Sequence, residues 1–449
     1  MGNAEALIEQ FGDDLSYCPQ LQSWFVWDGR RWHKDFEHTI IQMAKEIARG
    51  YIGKAEKYDR EHPNFKLLMK HANTSESLRG IQAMITLARS DKRVSAPLDS
   101  FDRGHDLLCV ENGVIDLNKQ EFRKFERNDG ITKIAPVAFR RGAVSAKWAR
   151  FLSDIIPDPD TRDFIQRAVG YSITGHTHAE VMFILYGTGQ NGKTTFTSTL
   201  LNMLGEYGAQ ASSNALMYQN NNGPSNELYV LIGKRFVVAS ETAESKCLDE
   251  NLVKQMTGMD RISVNPKYMS QIEFTPTWKI WLSTNHEPMI LGNDYAMWRR
   301  IHKIPFEVVI PEDVRDPKLK LTLLGDGEER SGILNWALEG VRRWHEDGLK
   351  PSQQVINATH TYRAEQDLVG QFITELCYVH PQLSVYKAQL YQAYTIHCNA
   401  MNERPKSKTA FGHQLKERGI VDDRNRKGRY WVGIGIDKRV NLFPEWIKE

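Results

Sequence analysis

The chain of 449 residues has room for about three domains at ~150 residues each, so it can bury a full core. Its 58 Lys and Arg against 56 Asp and Glu give a net charge of +2, which excludes a nucleic-acid partner held by bulk charge and requires any such partner to meet a local basic surface. Five scattered cysteines with no CxxC pair argue against a disulfide framework or a zinc site, and no apolar run approaches the ~20 residues that cross a bilayer, so a soluble protein of a reducing cytoplasm, without membrane contact, is expected.

Up to about residue 145 helical and strand signals are mixed, as in an α+β domain spanning 1–145. Alternation in SWFVWDGRRWHKD predicts a hairpin around Asp28-Gly29, and NGVIDLNKQEF predicts a second short strand pair. Trp24, Trp27 and Trp32 either form a base-stacking platform beside Arg30 and Arg31 or pack within the hairpin, the more usual employment of such aromatics.

From 146 to 346 apolar strands alternate with helical spacing, the pattern of a parallel α/β domain. Its first strand and helix meet in FILYGTGQNGKTTFTSTLLNML. Val181–Tyr186 is short, apolar and partly β-branched, whereas Phe196, Leu200, Leu201 and Leu204 recur at helical spacing until Gly205. Between them Gly187-xxxx-Gly192-Lys193-Thr194 has the spacing of the phosphate-cradling loop, Walker A. Glycine lets the backbone bend with its N–H groups inward, and the helix that begins there adds about half an elementary charge. Gly187, Thr188, Gly189, Gln190, Asn191, Gly192, Lys193, Thr194 and Thr195 are therefore expected to hold ATP, with Lys193 on the β- and γ-phosphates and the Thr194 hydroxyl on Mg2+. Upstream, His176 and His178 sit in a predicted loop with no third ligand at suitable spacing and read as surface histidines.

The segment NNNGPSNE, residues 220–227, reads as an exposed loop. The next apolar strand, Arg235–Ala239, ends in Ser240-Glu241, and a carboxylate at a strand's C-terminal edge is where Mg2+ and the attacking water are managed. Glu241 is the first choice and Glu244 the runner-up. A helix through Leu252, Val253 and Met256 stops at Gly258, and ISVNPKYMSQIEF then reads as two strands joined at Asn265-Pro266-Lys267. Lys267 either grips a DNA backbone or solubilises an exposed turn. A third strand, Trp278–Ser283, ends at Thr284-Asn285, whose amide can donate to the γ-phosphate and accept from the attacking water. Trp298-Arg299-Arg300 precedes strand-like IHKIPFEVVI; one of the two guanidiniums either crosses a subunit boundary to stabilise transition-state charge, which requires a homo-oligomer, or forms a surface salt bridge.

A polar break at HEDGLKPSQQ separates the C-terminal region, 355–449, where helical spacing over Val385–Cys398 and Phe411–Leu415 is followed by RNRKGRYWVGIGI. Between Arg404 and Arg439, 11 Lys and Arg face 4 Asp and Glu. Two helices and a basic hairpin would bring Lys406, Lys408, Arg424, Arg426, Lys427 and Arg429 near DNA phosphates; the alternative is a solvated or protein-binding face.

Taken together, GTGQNGKTT, FVVASETAE, the hairpin with Lys267, WLSTNHEP and MWRR resemble the superfamily 3 helicases, and more closely the phage and plasmid primase-helicase family with a poxvirus-like helicase core. The resemblance covers nearly the whole chain: WFVWDGRRW and ENGVIDL are similar to that family's domain ahead of the helicase, and the C-terminal part to its terminal winged helix. It implies an α/β fold, with a P-loop AAA+-type helicase core, an N-terminal α+β domain and a C-terminal winged-helix-like domain. It further implies a hexameric ring around single-stranded DNA, with ATP hydrolysed between neighbours, at work on single-stranded and forked DNA in replication of a phage, plasmid or mobile element in the cytoplasm of a bacterial host. On these residues it assigns Lys193 and Thr194 to phosphate and Mg2+, Glu241 to the Walker B role, Asn285 to sensor 1, Arg299 or Arg300 to the arginine finger and Lys267 to DNA. Many members carry two adjacent acids where this chain has Ser240-Glu241, which leaves the general base open. No cysteine set of a zinc-binding primase is present, so primer synthesis is expected to fall to a separate primase. The same residues also allow an ATP-switched initiator or loader that binds DNA without processive unwinding, or a DNA-binding regulator whose phosphate loop is vestigial.

Overall fold

The structure is a computed structural model that describes residues 2–212, 216–217, 226–240, 247–266, 271–290, 294–325, 327–401, 403–426 and 428–437. Glu241, Glu244, Lys267 and Lys427, with residues 220–225 of the expected loop, lie outside the described residues.

The chain opens with α1 (Gly2–Phe11), β1 (Leu15–Cys18), β2 (Ser23–Trp27), β3 (Trp32–Lys34), α2 (Thr39–Ala55), α3 (Pro63–Glu76) and α4 (Leu78–Ala88). The predicted hairpin is β2–β3, in which Trp27 faces Trp32 across the pair. Its turn forms because the Asp28 carboxylate accepts the N–H groups of Arg30 and Arg31, both at 2.8 Å, and Gly29 takes a φ of 91°. The tryptophans serve packing: Trp24 lies 5.1 Å from the Tyr17 ring and Trp27 lies 5.8 Å from Trp32. Leu7, Ala44, Ile81 and Met84 close this unit's core around Trp24.

The second predicted strand pair is β5 (Gly113–Asp116) with β6 (Glu121–Arg123), preceded by β4 (Leu107–Val110). Leu108, Val110 and Ile115 of this sheet share a core with the segment that follows rather than with α1–α4. That segment comprises α5 (Ala146–Ile155), α6 (Pro159–Ile173), β7 (Met182–Tyr186), α7 (Lys193–Leu204), β8 (Gly208–Ser212), β9 (Phe236–Ser240), α8 (Glu250–Thr257), β10 (Ile262–Val264), β11 (Ile272–Phe274), β12 (Lys279–Thr284), α9 (Tyr295–Trp298), β13 (Ile301–Pro305), α10 (Leu319–Gly325) and α11 (Gly327–Asp347).

Among the described residues β13-β7-β12-β9-β8 form a five-stranded sheet, parallel throughout. Both faces are covered, which explains the unbroken apolar strands. Phe183, Phe236 and Trp281 point into one core with Trp148 and Phe196, whereas Met182, Val237 and Ile280 point into another with Val253, Ile262 and Trp278. On the first face α6 and α11 cross so closely that a Cβ on Gly340 would stand 2.1 Å from the Gln166 carbonyl oxygen.

The C-terminal part contains α12 (Gln353–Gln366), α13 (Leu368–Leu376), β14 (Cys377–Tyr386), α14 (Lys387–Ala400), α15 (Lys408–Glu417), β15 (Val421–Asn425) and β16 (Gly428–Ile436). Its sheet has the order β14-β16-β15, and Phe372, Tyr394, Phe411 and Trp431 fill the core beneath it. The helical spacing read from Val385 begins in fact at Lys387, because Val385 pairs with Trp431 as part of β14.

Candidate functional site

In a parallel sheet the C-terminal strand ends share one edge, and here Tyr186 of β7 aligns with Thr284 of β12, while Ser240 of β9 aligns with Ser283. The turn from β7 into α7 lies on that edge. Its glycines are required: a Cβ on Gly187 would fall 2.3 Å from the Phe306 carbonyl oxygen, and Gly192, at a φ of 83°, leaves only 2.8 Å to Ile155. No side chain caps α7, so the first N–H groups of the helix face the loop with the positive end of its dipole.

Lys193, the first residue of α7, is 5 % exposed. Its ammonium donates to the Gly187 carbonyl at 2.6 Å, to Asn191 Oδ1 at 3.0 Å and to Asn285 Oδ1 at 3.0 Å. Burial lowers its pKa to about 8. Asn191 is fixed in turn by donating to the Phe306 carbonyl at 2.9 Å. Among the described residues the Lys193 ammonium is thus held by neutral acceptors alone, and its charge is available to an anion that reaches it. Thr194 is exposed beside it.

Sequence reasoning missed the cover over this loop. The chain leaving β13 returns so that Ile310 donates to the Gln190 carbonyl at 3.1 Å and the Arg315 guanidinium bonds the Gln190 side chain. Nothing in PEDVRD singles Arg315 out, since its partner lies 125 residues away.

Arg299 and Arg300 lie at the opposite edge of the sheet. The Arg300 carbonyl accepts the Met182 N–H at 2.7 Å, where β7 starts, so five strand residues, about 16 Å at ~3.3 Å each, separate them from the loop. Both arginines pair with Glu180, Arg300 at 2.8 Å. The Arg299 side chain is 41 % exposed and that of Arg300 9 %. Arg300 also donates to the Ala296 carbonyl, which ties it into the fold.

In the C-terminal part Lys408 starts α15 with its ammonium 5.5 Å over the Tyr391 ring, and Arg424 faces Arg429 across the exposed β15–β16 hairpin with Arg426 at its turn. Lys406 is placed differently: it is partly buried, and desolvation lowers its pKa. Asp422 in β15, one of the four acids counted in this segment, bonds Lys387 and Lys416. Of the two upstream histidines, His176 bonds Asp106 at 2.9 Å and His178 stacks on Trp344, so both are engaged in packing rather than free on the surface. No described helix is long and apolar enough to cross a membrane.

Residues 4–157 match the family described as D5 N terminal like, and residues 185–300 match a family of unknown function (DUF5906). The chain is 25 % identical over 410 residues to a protein of Acanthamoeba polyphaga mimivirus named as a helicase by inference, covering 82 % of this chain and 42 % of that protein. It is 27 % identical over 267 residues to a similarly named protein of Frog virus 3, covering 55 % and 27 %. A protein of African swine fever virus named by inference as a primase is 22 % identical over 301 residues, covering 62 % and 31 %. The chain therefore spans less than half the length of these relatives. Among solved structures, the apo C-terminal region of NrS-1 is similar in fold, with a TM-score of 0.51 at 9 % identity, over 96 % of this chain and 99 % of that one.

Proposed function

We propose that the chain is the helicase part of a replication enzyme: an ATP-dependent DNA helicase of superfamily 3 type that works as a homo-oligomer, in a hexameric ring, on single-stranded and forked DNA during replication of a virus, plasmid or mobile element. The observation that carries this reading is the bond from Lys193 to Asn285. It joins a phosphate loop to the end of the neighbouring strand, where a γ-phosphate and its attacking water have to be managed. The helicase and primase names of the viral relatives support it from outside the chain.

In this mechanism Lys193 exchanges neutral acceptors for the β- and γ-phosphates of ATP, and the α7 N-terminus receives the remaining phosphate charge. Mg2+, when bound, neutralises phosphate charge; the exposed Thr194 hydroxyl is a fitting oxygen donor for it, and Glu241, the residue after β9, is the carboxylate for the Walker B role. Asn285 orients the water. Arg299, the more exposed of the pair, serves a neighbouring subunit's site, which accords with its distance from the loop of its own chain. The order β14-β16-β15 with two helices between the first two strands in sequence supports a winged-helix reading, with Lys408, Arg424, Arg426 and Arg429 toward DNA.

Steady-state ATP hydrolysis in the presence of Mg2+ tests the reading. Loss of turnover in Lys193→Ala is expected, and undiminished turnover removes the proposed site.

A further inference from the structure

A cleft of about 460 Å3 separates the β2–β3 hairpin from the segment around Glu206 and Lys234, where α1–α4 and their sheet meet the ATPase core. That volume lies within the ~300–1,000 Å3 range of small-ligand sites. Four cations line it, Arg31, Lys34, Lys133 and Lys234, against the single carboxylate of Glu206. Arg31 pairs with Glu206, and Lys133 stands 3.7 Å from Asp102. Lys34 is different: its ammonium sits 5.5 Å over the ring of Phe36, and it has no ion pair among the described residues. Phe36 itself is 76 % exposed at the mouth of this cleft.

A single exposed apolar side chain needs no partner by itself. What sets Phe36 apart is its place beside the cations of this cleft, the pairing of aromatic ring and positive charge that a base and its phosphates engage. A planar base stacks on such a ring whatever its identity, while lysines within reach attract the phosphates on either side. An acidic peptide would satisfy the lysines and leave the ring without a partner.

We infer that this cleft takes one nucleotide of a single DNA strand, its base stacked on Phe36 and its flanking phosphates facing Lys34 and Lys234. The site rests on the reading that the protein handles single-stranded DNA, and adds to it a grip outside both the ATPase core and the C-terminal hairpin. The strand would then touch the N-terminal unit at a fixed distance from the phosphate loop, because Arg31 in the β2–β3 turn donates to the Thr132 carbonyl at 3.1 Å and pairs with Glu206, which follows α7.

Fluorescence anisotropy with labelled oligothymidylate, and with an abasic strand of equal length, tests the inference on the full chain. Phe36→Ala is expected to weaken oligothymidylate binding about tenfold or more, as loss of one base–aromatic stack does, and to leave the abasic strand unaffected. Phe36→Tyr restores binding, and Lys34→Glu weakens both strands. Because Phe36 is so exposed, its variants keep the wild-type melting temperature, which is measured alongside. The inference is overturned if Phe36→Ala binds oligothymidylate like wild type, if it loses both strands equally, or if free thymidine monophosphate displaces the strand at equal nucleotide concentration. Wild-type protein that binds no strand at all overturns it together with the helicase reading, whereas the other three outcomes leave that reading standing.

Discussion

The ammonium of Lys193 stands 3.0 Å from the amide oxygen of Asn285, a residue 92 positions later that directly follows β12, the strand beside β7. Two segments far apart in sequence thereby point at one small volume. If that volume is where ATP is hydrolysed, Asn285→Ala should lower kcat about 10²-fold, the scale for losing one preorganised polar group, with KM for ATP changed far less. Steady-state kinetics separates the two; a KM effect alone would make Asn285 a binding group.

Burial holds the Lys193 pKa at about 8, so before nucleotide binds the lysine is charged below that pH and neutral above it. Only the ammonium attracts phosphate. Accordingly kcat/KM for ATP is expected to fall as pH rises through about 8, whereas kcat at saturating ATP holds further up, since bound phosphates favour the charged form. A Lys193→Arg variant, charged throughout, should show no inflection there.

The two arginines after α9 should separate by assay. Arg299→Ala mixed with wild type is expected to depress ATPase more than in proportion to its share, because each missing finger disables a neighbour. Arg300→Ala leaves Glu180 with fewer partners in a mostly buried setting and should cost about 1–3 kcal/mol of stability, read by thermal unfolding.

Where α6 and α11 cross, Gly340→Ala places a methyl 2.1 Å from the Gln166 carbonyl oxygen, so the helices must separate. A loss of about 1–3 kcal/mol, as for other overpacked sites, is expected in denaturant unfolding, with KM for ATP little changed.

The parts of this molecule that local pattern encodes could be read from its sequence. The β7 strand, the α7 helix ending at Gly205 and the β2–β3 hairpin each follow from side-chain period and turn chemistry within a few residues. What joins them could not. The Arg315–Gln190 bond and the Glu180 clasp on Arg299 and Arg300 link residues 119 to 125 positions apart, and no local spacing signals them. Strand β14 escaped because its pairing with β16 shifts register between Val379 and Ser384, which breaks the alternation that marks a strand. Charge counting is equally blind to burial: Lys406 is partly buried and desolvation lowers its pKa, which its place in a basic stretch does not signal.

The central claim is that hydrolysis at Lys193 and Asn285 drives strand separation. Displacement of a labelled strand from a forked duplex by the purified chain, with ATP and Mg2+, tests it directly. Displacement that stops with a non-hydrolysable analogue and is absent in Lys193→Ala is the expected result. Vigorous DNA-stimulated ATP turnover that leaves the fork intact would contradict it and make the chain an ATP-switched loader.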